Sequence, residues 1–279
     1  MSEHEILARR FEGNRTRLRG VAYRMLGSLT EADDAVQEAW LRLSRSETGT
    51  IDNLEGWLTT VVARVCLDML RSRKLDQERL PDPIVRQDAP AADQEFMLSE
   101  SIGLALLVVL ETLEPAERLA FVLHDVFAMP FEDIARIVDK SPAAARQLAS
   151  RARRRIQGAN VANADVSQHR ELVEAFLAAA QSGNVDGLVA VLHPDAILRA
   201  DRAGITTVRG AQQIARQAVA FSEGGVIRER VFVNGVPGIL AKRPDGRLLS
   251  VMSFTVSGGK IVEIDILADP ERLQRLGIG

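Results

Sequence analysis

The spacing of apolar residues changes once along this chain, near residue 165, and that change limits the fold more than any other feature. Ahead of it, apolar side chains recur every three or four residues, as amphipathic helices require. Beyond it, short β-like segments (Ala196–Ala200, Val226–Val233, Leu248–Val256 and Lys260–Leu267) alternate with the turn pairs Gly224-Gly225, Pro237-Gly238, Asp245-Gly246 and Gly258-Gly259. Helices are expected at 169–181, at 186–192 and around Ala211–Phe221. A helical front joined to an α+β rear of about 115 residues follows, and 279 residues suffice for two or three such domains.

Composition sets the outer bounds. With 46% apolar and 26% charged residues the chain has the balance of a folded protein, not a disordered one. Cys66 is the single cysteine, so no disulfide framework exists within the chain and a reducing compartment is the default. No apolar run approaches the roughly 18 residues of a membrane span, and MSEHEILARRFEG lacks the apolar stretch of a signal peptide. A cytoplasmic protein without membrane insertion is expected. The net charge of −3 conceals a basic excess in residues 116–157, where eight basic side chains face five acidic ones.

In the front half, Ala32, Ala35, Val36, Ala39, Trp40 and Leu43 define the inner face of a helix, with Thr30 and Asp33 as a capping pair at its start. Its opposite face carries Asp34, Gln37, Glu38 and Leu41. A carboxylate row is ordinarily only a solvated surface, whereas a leucine beside it suits a partner; both readings stay open. A polar loop, Ser44–Asn53, leads to a helix starting near Glu55 with the stripe Leu58, Val61, Val65 and Met69. Arg64, Arg71, Arg73 and Lys74 lie away from that stripe, with Asp68 spaced to pair with Arg64. Trp57, at the helix entry, is either a core residue or a stacking surface for an unpaired base.

Residues 81–95 hold three prolines and four acids, the composition of a linker. An apolar helix is expected over 96–113, with Pro115 in the first turn of the next. Two short helices then follow over 131–156. Ile134, Ala135 and Val138 mark the core side of the first; Asp139-Lys140 form a tight turn; Ser141 and Pro142 cap and open the second, which buries Ala145, Leu148, Ala152 and Ile156. Outward lie Arg146, Gln147, Ser150, Arg151 and Arg154, and five arginines fall within residues 146–155. A short helix, a turn and a basic second helix form the arrangement that enters the major groove. Arg146 and Gln147 suit base edges, and Arg151, Arg153, Arg154 and Arg155 suit phosphates.

In this order, RLRGVAYRMLGSLTEADDAVQEAWLRL, GWLTTVVARVCLDMLRSRK and the segment from Leu113 to Ile156 resemble regions 2 and 4 of extracytoplasmic-function sigma factors. ELVEAFLAAAQSGNVDGLVAVLHPDAILRAD is similar to SnoaL-like, NTF2-like cone domains, and together the pieces resemble the SigJ-type group. The resemblance implies a multidomain chain: two all-α sigma domains, a region 2 bundle over 1–80 and a region 4 helix-turn-helix over 96–158, joined by the 81–95 linker and followed by an α+β NTF2-like domain over 165–279. It implies that Asp33, Asp34, Gln37, Glu38 and Leu41 dock on the coiled coil of the polymerase largest subunit. Trp57, Arg64, Arg71, Arg73 and Lys74 would melt and read the −10 element. Arg146, Gln147, Ser150, Arg151, Arg153 and Arg154 would read the −35 element. Core RNA polymerase and promoter DNA are the implied partners; no cofactor is implied, and any anti-sigma factor is unspecified.

Three departures from the family stand out: Arg64 where asparagine is common, Ala144-Ala145 in place of Thr-Val, and Asp201-Arg202-Ala203-Gly204 in place of Asp-Gly-Gly-Gly. Leu80-Pro81-Asp82-Pro83 and the segment Ala268–Leu273 resemble the group's Leu-Pro-acid-Pro and Asn-Pro-Asp-Lys-Leu motifs. Asp201 and Asp269 are accordingly candidates for the cavity or an interdomain contact within the chain. Neither a metal-spaced His/Cys cluster nor a nucleophile elbow occurs, so no catalytic or metal residues are assigned. The expected function is promoter-specific transcription initiation, with the rear domain regulating or bracing the sigma domains. The alternatives are a one-component regulator whose cone binds a ligand, and a cone-fold enzyme with a helical appendage.

Overall fold

The computed structural model describes residues 3–46, 51–72, 79–87, 104–157, 166–222 and 225–278. They divide into two compact units, one containing 3–46, 51–72 and 109–157, the other 79–87, 104–108, 166–222 and 225–278.

The first unit opens with α1 (Glu3–Leu26), α2 (Leu29–Ser44) and α3 (Leu54–Ser72), which pack pairwise on one another. Leu18, Val21, Met25, Val36, Leu43, Leu58, Val62 and Cys66 form their shared core. The cap of α2 differs from the expected one. Gly27 ends α1 at φ 67, and the extended Ser28, not Thr30, accepts from the Glu31 amide. The buried face of α3 is also wider than the expected stripe: Val62, Ala63 and Cys66 are fully enclosed, and Val61 and Met69 only half-buried. The reason is that α3 packs against α1 and α2 and also against helices further along the chain.

Those later helices are α4 (Leu104–Glu111), α5 (Pro115–Phe121), which runs on as a π-turn over Val122–Val126, α6 (Phe131–Val138) and α7 (Pro142–Gln157). Asp139, left-handed at φ 55, turns the chain, and the Ser141 Oγ accepts the Ala144 amide at 3.2 Å to start α7. Ile134, Ala135, Ile137 and Val138 of α6 bury against Ala145, Leu148, Ala149 and Ala152 of α7. Ile156, expected in that core, is half-buried.

Arg118 of α5 is the most enclosed cation of this unit, 2% exposed. Its Nε donates to the Leu110 carbonyl at 2.7 Å and its Nη1 to the Met25 carbonyl at 2.6 Å, while Nη2 lies 3.0 Å from Glu111. Both carbonyls belong to last turns of helices, which lack intrahelical partners.

In the second unit, α8 (Val166–Gln181) and α9 (Val185–Val191) precede β2 (Leu192–Asp201) and β3 (Ile205–Arg209). Then come α10 (Ala211–Ala220), β4 (Ile227–Val233), β5 (Val236–Lys242), β6 (Leu248–Ser257), β7 (Lys260–Leu267) and α11 (Pro270–Arg275). With β1 (Val85–Arg86) they make one sheet in the order β1-β4-β5-β6-β7-β2-β3, the fold class expected of an NTF2-like domain. Val173, Phe176, Leu188, Ile214, Phe254, Ile261 and Ile264 fill the space between α8–α10 and one sheet face. Val231, Val233, Leu240, Val251 and Leu267 pack with Leu273 of α11 on the other.

β3 and β5 are absent from the sequence-based expectation. The pair Pro237-Gly238, expected to turn the chain, lies inside β5, and the turn sits at Asn234-Gly235, both at positive φ. Gly238 is there for close packing: a Cβ would lie 2.6 Å from Val233 Cγ2 and 2.7 Å from the Met252 carbonyl.

The described part of the segment expected as a linker is anchored on the second unit. Leu80 donates its amide to Asp201 at 3.2 Å, Ile84 exchanges two hydrogen bonds with Asn234, and Val85 and Arg86 pair antiparallel with Val233 and Phe232.

On the same face as Asp201, Arg199 bridges Asp265 at 2.8 Å and Glu263 at 3.2 Å. Burial pushes the Asp265 carboxyl up to about 6, against the pull of Arg199. A carboxyl raised in the folded state favours folding most at acid pH, and that contribution is lost as pH rises through about 6. Asp265→Asn is therefore expected to raise the calorimetric melting temperature near neutral pH, with the gain fading as pH falls from about 6 to about 4; a pH-independent gain would contradict this. Arg118→Ala removes the Met25 carbonyl's donor, one of the two donors on the Leu110 carbonyl and the cation beside Glu111, so it is expected to cost about 3 kcal/mol. Both tryptophans, Trp40 and Trp57, lie in the first unit, so urea unfolding followed by their emission measures this directly.

Candidate nucleic-acid and polymerase interfaces

The amphipathic spacing of α2 buries Ala32, Ala35, Val36, Ala39 and Leu43, and so turns the intervening residues outward. Asp33, Asp34 and Gln37 are exposed, Glu38 is partly so, and Leu41 is among the few exposed large apolar side chains at 38%. Arg19 forks onto Asp33 at 2.7 and 3.0 Å, and Arg42 pairs with Glu38 at 2.8 Å. Asp34 and Gln37 have no hydrogen-bond or ion-pair partner among the described residues. The result is an acidic strip with an apolar residue at its end.

On α3, Arg64 and Arg71 are exposed and Trp57 is half-buried. Arg64 does not pair with Asp68; its Nη2 donates to the Arg136 carbonyl at the end of α6, 3.2 Å away. Arg73, Lys74 and residues 47–50 of the polar loop lie outside the described residues. Asn53 fixes the start of α3 by accepting the Gly56 amide at 3.0 Å.

On α7, Arg146, Gln147, Ser150 and Arg154 form a contiguous exposed strip. The remaining arginines are held by groups elsewhere in the same unit: Arg151 on Glu117 at 2.6 Å, Arg153 on Asp125 at 2.6 Å, and Arg155 on the Thr112 carbonyl at 3.1 Å with Glu117 at 3.7 Å. Arg146 reaches Glu132 at 2.9 Å but remains 56% exposed. Arg154 has no partner among the described residues. The helix thus has a readable front and neutralised flanks. Glu117, Asp125 and Glu132 were not singled out in the sequence, because they reach α7 from 14 to 34 residues upstream.

In the second unit Asp201 and Asp269 both act through Arg272. Asp269 caps α11 by accepting the Arg272 amide at 2.9 Å. The Arg272 guanidinium, 6% exposed, then meets Asp201 at 2.5 Å, Asp82 at 2.5 Å and the Leu80 carbonyl at 2.6 Å. Asp201 is thereby a structural carboxylate, its Oδ2 accepting from both Arg272 and the Leu80 amide. Among the described residues no group of three or more His, Cys, Asp or Glu side chains is arranged to hold a metal ion. No helix among them is long and apolar enough to cross a membrane.

Comparison with known proteins agrees with this geometry. Residues 10–75 match the Sigma-70 region 2 family and residues 103–156 match Sigma-70, region 4. The chain is 35% identical over 285 residues to a probable ECF RNA polymerase sigma factor SigI of Mycobacterium tuberculosis, covering 99% of this chain and 98% of that one. It is 36% identical to the ECF RNA polymerase sigma factor SigJ of the same species, over 94% and 91% of the two chains. The crystal structure of M. tuberculosis SigJ superimposes with a TM-score of 0.75 at 33% identity, covering 96% of this chain and 98% of SigJ. Similarity over the whole length does not favour a one-component regulator. The chain belongs to the extracytoplasmic-function sigma factors, which bind RNA polymerase and direct it to promoters to initiate transcription.

Proposed function

We propose that the roles within this sigma factor are divided among three surfaces. The acidic face of α2, with Asp33, Asp34, Gln37, Glu38 and Leu41, docks on the coiled coil of the polymerase largest subunit. The face of α3 with Trp57, Arg64 and Arg71, continued by Arg73 and Lys74, engages the −10 element. On α7, Arg146 and Gln147 read base edges of the −35 element, and Ser150 and Arg154 contact its backbone. Arg151 and Arg153 join the phosphate contacts by exchanging Glu117 and Asp125 for DNA. The observation that carries this reading is the exposed strip Arg146-Gln147-Ser150-Arg154 on the second helix of a helix-turn-helix.

The C-terminal domain acts as a brace rather than as a catalyst. Its sheet and Arg272 hold residues 80–86, the chain between the region 2 and region 4 matches. Every residue held there is one fewer to span the distance from α3 to α4, which limits how far the two DNA-binding parts separate.

Run-off transcription with purified core polymerase tests the first part. Reversing Asp34 and Glu38 to Lys is expected to lower output about tenfold or more, since a like-charged contact replaces a complementary one. Thermal stability should fall by no more than about 1 kcal/mol, the scale of losing the exposed Glu38–Arg42 pair to a like-charged one; undiminished output would refute the docking role. For the brace, Arg272→Gln is expected to speed hydrogen exchange at the Leu80 and Ile84 amides and to change promoter-dependent output. Faster exchange with unchanged output would remove the regulatory role.

A further inference from the structure

Phe131 is the first residue of α6 and belongs to neither core row: Ile134, Ala135, Ile137 and Val138 are buried, whereas Phe131 is half-exposed. Two groups meet its ring. The His124 imidazole stacks on it at 3.8 Å between centroids with 27° between planes. The Arg146 guanidinium carbon lies 5.5 Å from the ring centroid, within cation–π range. His124 is itself held by its Nδ1–H donating to the Met129 carbonyl at 3.0 Å, across the turn in which Ala128 takes φ 52. Next to Phe131, Glu132 takes one N–H of the same guanidinium at 2.9 Å. A ring face and a carboxylate, from adjacent residues of one helix, therefore grip a single arginine of the next.

We propose that Phe131 and Glu132 are positioning residues for Arg146, fixing its guanidinium for one base edge before DNA arrives. The proposal rests on Arg146 as the base-reading residue of α7. A free arginine side chain has on the order of 2 kcal/mol of rotamer entropy to lose on binding. Here much of that loss occurs on folding, so less remains to oppose recognition. The grip leaves the fork usable: the guanidinium has five N–H donors, one of which is on Glu132, and the side chain is 56% exposed. Gln147, adjacent on the helix, has no such support among the described residues. Discrimination is thus concentrated at the base pair facing Arg146.

The test uses the full-length protein with core polymerase and a promoter library randomised across the −35 element, read by sequencing of the run-off products. Arg146→Ala identifies the base position whose preference depends on Arg146. At that position Phe131→Leu is expected to lower the preference about two- to fivefold, the range of an exposed cation–π contact. Phe131→Tyr keeps the ring face and should retain the preference, a rescue that a volume-filling role does not require. Glu132→Gln should weaken preference at the same position and at no other. If Arg146→Ala changes no base preference, the base-reading role fails. If Arg146→Ala does but Phe131→Leu leaves the preference intact, or Phe131→Tyr loses as much as Phe131→Leu, positioning by the ring is overturned. If Glu132→Gln strengthens binding to every promoter alike, Glu132 only screens Arg146, and the carboxylate half of the proposal falls.

Discussion

The packing of the first unit turns on one buried cation. Arg118 takes the carbonyl oxygens that end α1 and α4 and the carboxylate of Glu111, so the C-terminal ends of two helices far apart in sequence share a single guanidinium. Burying a charge is costly unless every donor finds an acceptor, and helix ends supply acceptors that nothing else in the helix satisfies. The same residue that makes the interior expensive therefore makes the arrangement specific. Arg17 and Arg24 approach the ring of Phe127, and Arg64 reaches the Arg136 carbonyl, adding weaker contacts between the same groups of helices. Breaking them while Arg118 stays seated leaves the junction of α1, α4 and α5 in place.

What was legible in the sequence followed from periodicity and capping. Ser141 and Pro142 open α7 as their chemistry demands, the α2 face with Leu41 is exposed, and β7 spans Lys260–Leu267 as expected. Less legible was whatever depended on partners far along the chain. The α3 stripe widened because later helices pack on it; Thr30 lost the cap to Ser28 because Gly27 ends α1 earlier. Pro237-Gly238 carried the composition of a turn, but the glycine answers the backbone of β6, and Asn234-Gly235 makes the turn instead. For β3, Ile205, Thr206, Thr207 and Val208 offered a β-branched run that the adjoining Gly204 obscured.

The charged residues of the rear domain follow the same pattern. Asp201 and Asp265 are both buried carboxylates of the sheet. Each meets an arginine that a second acid shares: Arg272 of α11 pairs with Asp201 and Asp82, and Arg199 of β2 with Asp265 and Glu263. A carboxylate held in this way serves geometry before chemistry, and a resemblance to cavity-bearing folds by itself assigns no activity.

The pairing of Val85 and Arg86 with β4 has a cost when undone. That strand would then present Phe232 and Val233 along an open sheet margin, with backbone groups ready to hydrogen-bond a neighbouring molecule. Arg228, Glu229 and Arg230 guard the remainder of the margin with charge, and among the described residues the apolar end is covered by Val85 and Arg86. A molecule that let go of this segment would gain freedom of reach and become adhesive at once, so the released form suits a crowded cell only while something else occupies it.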